Sequence, residues 1–198
     1  QAYIGYSRVR NGKAITVKAG QLASAFGSFP LRYDDSRNWL IDLPQSYGYY
    51  YFPVTVAGMP GAEVDVALGK ADMRVQLTNS SPSNPRSFRQ SDQYANWTAG
   101  GGYTIRQGFR IGGSATHGAY LHRQHRFFFP GEAAPRTLPA TGYGTDIQWG
   151  RGRWTANAEA MRFQYPYRAI PYFFNTAAYA EARFTINARW FLAARSGN

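Results

Sequence analysis

Between residues 141 and 163, apolar and polar side chains alternate with a period of two on both sides of a single short turn. With a two-residue turn at Arg151-Gly152, Tyr143, Thr145, Ile147 and Trp149 share a face with Trp154, Ala156, Ala158 and Ala160. Asp146 and Gln148 then share the opposite face with Thr155, Asn157 and Glu159. Successive strand side chains point to opposite sides, so this order prescribes a hairpin with one apolar and one polar surface. Aromatics beside the turn and strict alternation along both strands suit a pair that meets hydrocarbon on one side and water on the other.

The rest of the chain repeats the pattern. Short turns are predicted at 10–13 (RNGK), Gly69-Lys70, 106–108 (RQG), Arg151-Gly152 and 186–188 (INA), with Asn11-Gly12 the clearest type I′ signal. Between them lie long connections at about 22–61, 80–93, 119–141 and 164–175, rich in Pro, Gly, Ser and Asn. Short and long connections therefore alternate, which is the asymmetry of an outer-membrane barrel. The expectation is an all-β, antiparallel transmembrane β-barrel, a single domain over 1–198 with ten strands in five hairpins. The chain opens in mid-alternation on QAYIGYSRVR and ends on RWFLAARSGN without a terminal aromatic, so it is expected to be a piece of a larger barrel.

The faces agree from hairpin to hairpin. Ile4, Tyr6, Ile15 and Val17 fall on the apolar parity, with Val64, Val66, Leu68, Met73, Val75 and Leu77 in the second hairpin. The third hairpin adds Trp97, Tyr103, Ile105, Phe109 and Ile111, and the fifth adds Phe184, Trp190 and Leu192. The polar parity holds Lys18, Arg74, Arg110, Arg183, Arg189 and Arg195 against Glu63, Asp65, Asp72, Asp146, Glu159 and Glu181, six against six. A Gly69-Lys70 turn sets Asp65 opposite Arg74. An arginine facing lipid at mid-depth costs about 2–4 kcal/mol, so charge kept to one parity is informative. Arg162 breaks the parity and is expected to snorkel outward or to follow a bulge near Met161. The alanines at 156, 158, 160, 178, 180 and 182 make two strands smooth on the apolar side, either as a subunit contact or as plain lipid-facing surface.

Composition is compatible with this reading and closes others. No run of about 18 apolar residues exists, so helical membrane spans are excluded. The mean hydropathy of -0.45 does not exclude a barrel, whose strands average two unlike faces. With no cysteine there is no disulfide framework and no thiolate metal site. The net charge of +11 sits at the rims: Arg8, Arg10, Lys13, Lys70, Arg106, Arg151 and Arg153 surround the short turns without one acid. One or two cations per turn form no groove-sized platform, which disfavours nucleic acid as a partner.

The connection at 22–61 is the strongest functional candidate, because loops of that length without a role are uncommon. It carries Arg32, Tyr33, Asp34, Asp35 and Arg37, then Tyr47, Tyr49, Tyr50, Tyr51 and Phe52. Folded inward it would narrow a pore, with Lys18, Asp65, Arg74, Arg110, Asp146, Glu159, Glu181, Arg183 and Arg195 lining the wall. The alternative is an external loop packed on its neighbours. His117, His122 and His125 lie close in sequence, but no carboxylate falls among them and Arg123 and Arg126 intervene, which disfavours a metal; no cofactor is expected. An outer-membrane hydrolase would need an Asp within reach of one of these histidines, and no catalytic spacing is present. A saccharide channel would show a file of aromatics, and a soluble β-barrel binding protein a dry apolar interior.

The run Val17-Lys18-Ala19-Gly20-Gln21-Leu22, with Phe26-Gly27 and Phe29-Pro30 after it, resembles the strand-to-loop passage of the phosphate-selective porin O and P family. Residues 178–195 (AYAEARFTINARWFLAAR) resemble a late hairpin of such barrels. The resemblance implies a water-filled pore in the bacterial cell outer membrane, passive passage of small hydrophilic solutes, contact with outer-membrane lipids and a homotrimer. Phosphate selectivity is not carried over, since that property rests on a lysine- and arginine-lined constriction and this chain has three Lys.

Overall fold

Asn11 and Gly12 carry positive φ (50° and 71°), the two left-handed positions that a type I′ turn requires, and they join β1 (Ala2–Arg10) to β2 (Lys13–Leu22). The computed structural model describes residues 2–32, 38–48, 54–55, 58–83, 94–121, 137–166 and 172–198. After β2 come one helical turn, α1 (Phe29–Arg32), and two parallel two-residue strands, β3 (Tyr47–Gly48) and β4 (Val54–Thr55). Four further hairpins follow: β5 (Met59–Leu68) with β6 (Ala71–Thr78), β7 (Asn96–Arg106) with β8 (Phe109–Ala119), β9 (Pro139–Arg151) with β10 (Trp154–Tyr165), and β11 (Phe173–Thr185) with β12 (Phe191–Gly197).

These ten long strands form one antiparallel sheet in the order β1-β2-β5-β6-β7-β8-β9-β10-β11-β12, each paired to its neighbour in sequence. The all-β antiparallel class and the ten strands agree with expectation, and short turns alternate with long connections throughout. Among the described residues β1 and β12 do not pair with each other, so the ladder is open at both edges.

Asp65 stands opposite Arg74, as a Gly69-Lys70 turn requires. Two local expectations are corrected and a third is narrowed. The β9–β10 turn is Gly152-Arg153, not Arg151-Gly152, because Arg151 pairs with Trp154. Gly152 (φ 59°) thereby takes the first central position, where a type II′ hairpin turn needs glycine. Trp149 consequently faces Ala156, and Asp146 faces Glu159. The last connection runs over 186–190, where Asn187 Oδ1 accepts the backbone N–H groups of Arg189 and Trp190 at 2.9 and 3.0 Å. Arg189 and Trp190 are therefore turn residues, and Arg189 leaves the wall. Finally, the register passes through Met161 and Arg162 without a bulge. Arg162 stays on the apolar side, its guanidinium 4.4 Å from the centre of the Phe174 ring.

The sheet has one outer face and one face covered by the 23–58 connection. Large apolar side chains on the outer face are exposed, Ile4 by 85% and Leu77 by 58%. On the covered face Glu63, Asp146, Glu159 and Glu181 are enclosed, Glu63 and Glu159 each at 4%, while Asp65 and Asp72 are partly exposed. The covered face also holds an aromatic core, which parity had not flagged: Phe163, Tyr165 and Tyr179 pack with Phe26, Phe29 and Tyr47 of the connection.

Candidate functional site

The described part of the 23–58 connection lies across the covered face. Leaving β2, the Ala25 N–H donates to Gln76 Oε1 (3.2 Å), and Gln76 Nε2 donates to the Ala23 carbonyl (2.7 Å). The Ala25 carbonyl rests on β7 at Gly100, where a Cβ would collide with it. Phe26 then packs 4.9 Å from Phe163, against the backbone of Gly144. Ser28 gives its backbone N–H (3.1 Å) and its hydroxyl to Glu159 Oε1, and the Tyr47 hydroxyl donates to Glu159 Oε2. Farther on, Arg195 donates to the Asp42 carbonyl and to Asn38 Oδ1 (3.2 Å), and Arg183 lies 4.9 Å over the Trp39 ring. The connection is thus tied to β6, β7, β10, β11 and β12.

Beneath it the charges of the covered face form separate ion-paired groups. Lys18 bridges Glu63 (2.9 Å) and Asp65 (2.6 Å), and Arg74 meets Asp65 at 2.7 Å. Arg110 spans Asp72 (2.6 Å) and Asp146 (2.9 Å). Arg195 meets Glu181 at 2.7 Å. A buried carboxylate without such partners would be strongly destabilising, so these pairings permit the enclosure of Glu63, Asp146 and Glu181. Glycine makes the room: a Cβ at Gly102 would strike the Arg110 guanidinium, and one at Gly112 the Asp146 carboxylate.

All nine wall residues expected from parity lie on the covered face, in three ion-paired groups plus Glu159 and Arg183. Arg183 differs from the rest. Among the described residues it meets no carboxylate; it lies between the rings of Trp39 and Phe191, and its buried Nε has no partner. Of the loop residues, Arg32 belongs to α1 and its side chain lies outside the described set, as do Tyr33, Asp34, Asp35 and Arg37. His122 and His125 also lie outside it. His117 sits on the outer face, hydrogen-bonded through Nδ1 to Thr141 Oγ1 (2.9 Å) and near Trp97. Among the described residues no group of side chains could hold a metal ion.

Sequence reasoning did not single out Ser28, Asn38 or Trp39. A signal was present in the glycines of inward parity, Gly100, Gly102, Gly112 and Gly144, which leave the middle of the covered face bare of side chains. Between the connection and the short-turn ends of β7 to β11 an open cleft of about 510 Å³ remains, bordered by Phe29 and Trp39 on one side and by sheet residues on the other. The chain matches no protein-family model, no curated protein and no solved structure.

Proposed function

We propose that this sheet is wall of an outer-membrane β-barrel of a bacterial cell, a porin through which small hydrophilic solutes diffuse, with the 23–58 connection narrowing the passage. The observation that carries the reading is the inverted burial: Ile4, Tyr6, Leu77 and Leu192 are exposed while Glu63, Asp146, Glu159 and Glu181 are enclosed. A face of exposed aliphatic and aromatic side chains is stable against lipid, and ion-paired charge belongs beside water. Strands of 11 to 13 residues in β7, β8, β9 and β11 are long enough to span the hydrocarbon when tilted. Tight turns at one end and long connections at the other suit the two sides of such a membrane.

The wall supports little charge preference of its own, since without Arg189 it holds five cations against six carboxylates. Cations dominate the short-turn rim, and a rim field of that sign raises the local concentration of anions. Single-channel recording of the full-length protein in a planar bilayer under a salt gradient tests the reading. Steady ohmic steps with a reversal potential on the anion side are expected. Absence of conductance from protein shown to be inserted would overturn the porin, and a cation-side potential would overturn the rim effect.

A further inference from the structure

The cleft at the short-turn end of the covered face differs in chemistry from the rest of the wall. Its charged members are already engaged, Arg110 with Asp72 and Asp146, and Glu181 with Arg195. Its neutral members have hydrogen-bonding capacity left over. The hydroxyls of Thr104 and Thr155 and the indole N–H of Trp39 make no hydrogen bond among the described residues. Asn157 donates through Nδ2 to Glu181 (3.1 Å), and Gln148 through Nε2 to Asp146 (3.4 Å), and among the described residues neither amide oxygen takes up a donor. Donors and acceptors of this kind, without net charge, complement hydroxyl groups, each of which gives and takes a hydrogen bond.

The aromatic side of the cleft supplies the second requirement. Trp39 is braced by the Arg183 guanidinium, 4.9 Å from its ring centre. The electron-rich face of an indole attracts the weakly positive C–H groups on the flat side of a sugar ring. The volume of about 510 Å³ falls within the ordinary size of small-molecule sites. We infer that this cleft is a binding station for a small neutral carbohydrate, stacked on Trp39 and hydrogen-bonded by Thr104, Gln148, Thr155 and Asn157. The inference rests on the porin reading, because it places the station on the solute path. An anion would have to draw on Arg110, the cation that borders the cleft, and Asp72 and Asp146 already engage it.

The test is saturation-transfer NMR on the full-length protein in detergent, with glucose, galactose, N-acetylglucosamine, maltotriose and inorganic phosphate as probes, run beside bilayer recording of the same preparation. Transfer to ring protons of at least one sugar is expected, with phosphate unable to compete. Trp39→Ala should weaken binding at least tenfold. Gln148→Ala leaves the docking of the connection untouched and should weaken it about threefold to tenfold, so the result does not depend on the folding of one variant. A conducting protein that binds none of the sugars would overturn the inference and leave the porin standing. Phosphate binding without sugar binding would overturn it in favour of an anion site. Sugar binding without conductance would overturn the porin reading and, with it, the place of the cleft on a passage.

Discussion

Ser28, in the connection after β2, and Glu159, in the middle of β10, are joined by two hydrogen bonds to one carboxylate oxygen across 131 positions of chain. Tyr47 donates to the other oxygen of the same carboxylate. An enclosed side chain on the sheet thus holds two distant points of the connection at once.

Replacing that acceptor should release the connection. Glu159→Ala removes the carboxylate that accepts from Ser28 and Tyr47, and hydrogen bonds to a charged group contribute about 1.5–3 kcal/mol each. Faster proteolysis within 23–48 and larger single-channel steps are the expected outcome, and Glu159→Gln, which keeps an acceptor, should lie between. Equal conductance in all three proteins would show that the connection does not narrow the passage.

Gly100 makes the same point by shape. A side chain there meets the Ala25 carbonyl, which is backbone and has no rotamer to turn aside. Gly100→Val should therefore dislodge the connection and mimic Glu159→Ala. Gly113→Ala on the neighbouring strand, where the nearest atom to a Cβ is 3.5 Å away, should leave proteolysis and conductance as they were.

The outer face can be tested without any solute. Val75 is exposed in the middle of β6. Val75→Arg should cost about 2–4 kcal/mol when folding into lipid vesicles is followed by urea titration. An effect within about 0.5 kcal/mol, the ordinary range for a water-facing substitution, would count against lipid on this face.

Arg110 compensates Asp72 and Asp146 together. Arg110→Met removes this cation from the half-exposed Asp72 and from the enclosed Asp146, and losing one member of a buried pair such as Arg110–Asp146 costs about 3–5 kcal/mol. The expected results are lower stability in urea and a reversal potential moved toward cations. An unchanged potential would place these residues away from the ion path.

Much of the strand pattern was readable from neighbouring residues. Hairpin turns announce themselves through glycine and asparagine, and Asn11-Gly12 and Gly69-Lys70 behave as such dipeptides must. At the β9–β10 turn the same cue misled by one residue, since parity is identical for both placements and only the glycine's place in the turn separates them. The RWF segment after 188 reads as strand by alternation, yet Asn187 draws the N–H groups of Arg189 and Trp190 into its own turn.

The sequence alone determined which residues face together, because a period of two is a local property of the chain and charge cannot be scattered across both surfaces without penalty. It could not determine where the 23–58 connection goes. That was decided by complementarity between parts far apart: the bare backbone at Gly100 and Gly144, the carboxylate of Glu159, and the guanidinium groups of Arg183 and Arg195. Each is unremarkable on its own strand. Brought to one surface by ten aligned strands, they form a seat for a segment that answers with Ala25, Phe26, Ser28, Trp39 and Tyr47, and no local pattern encodes that match.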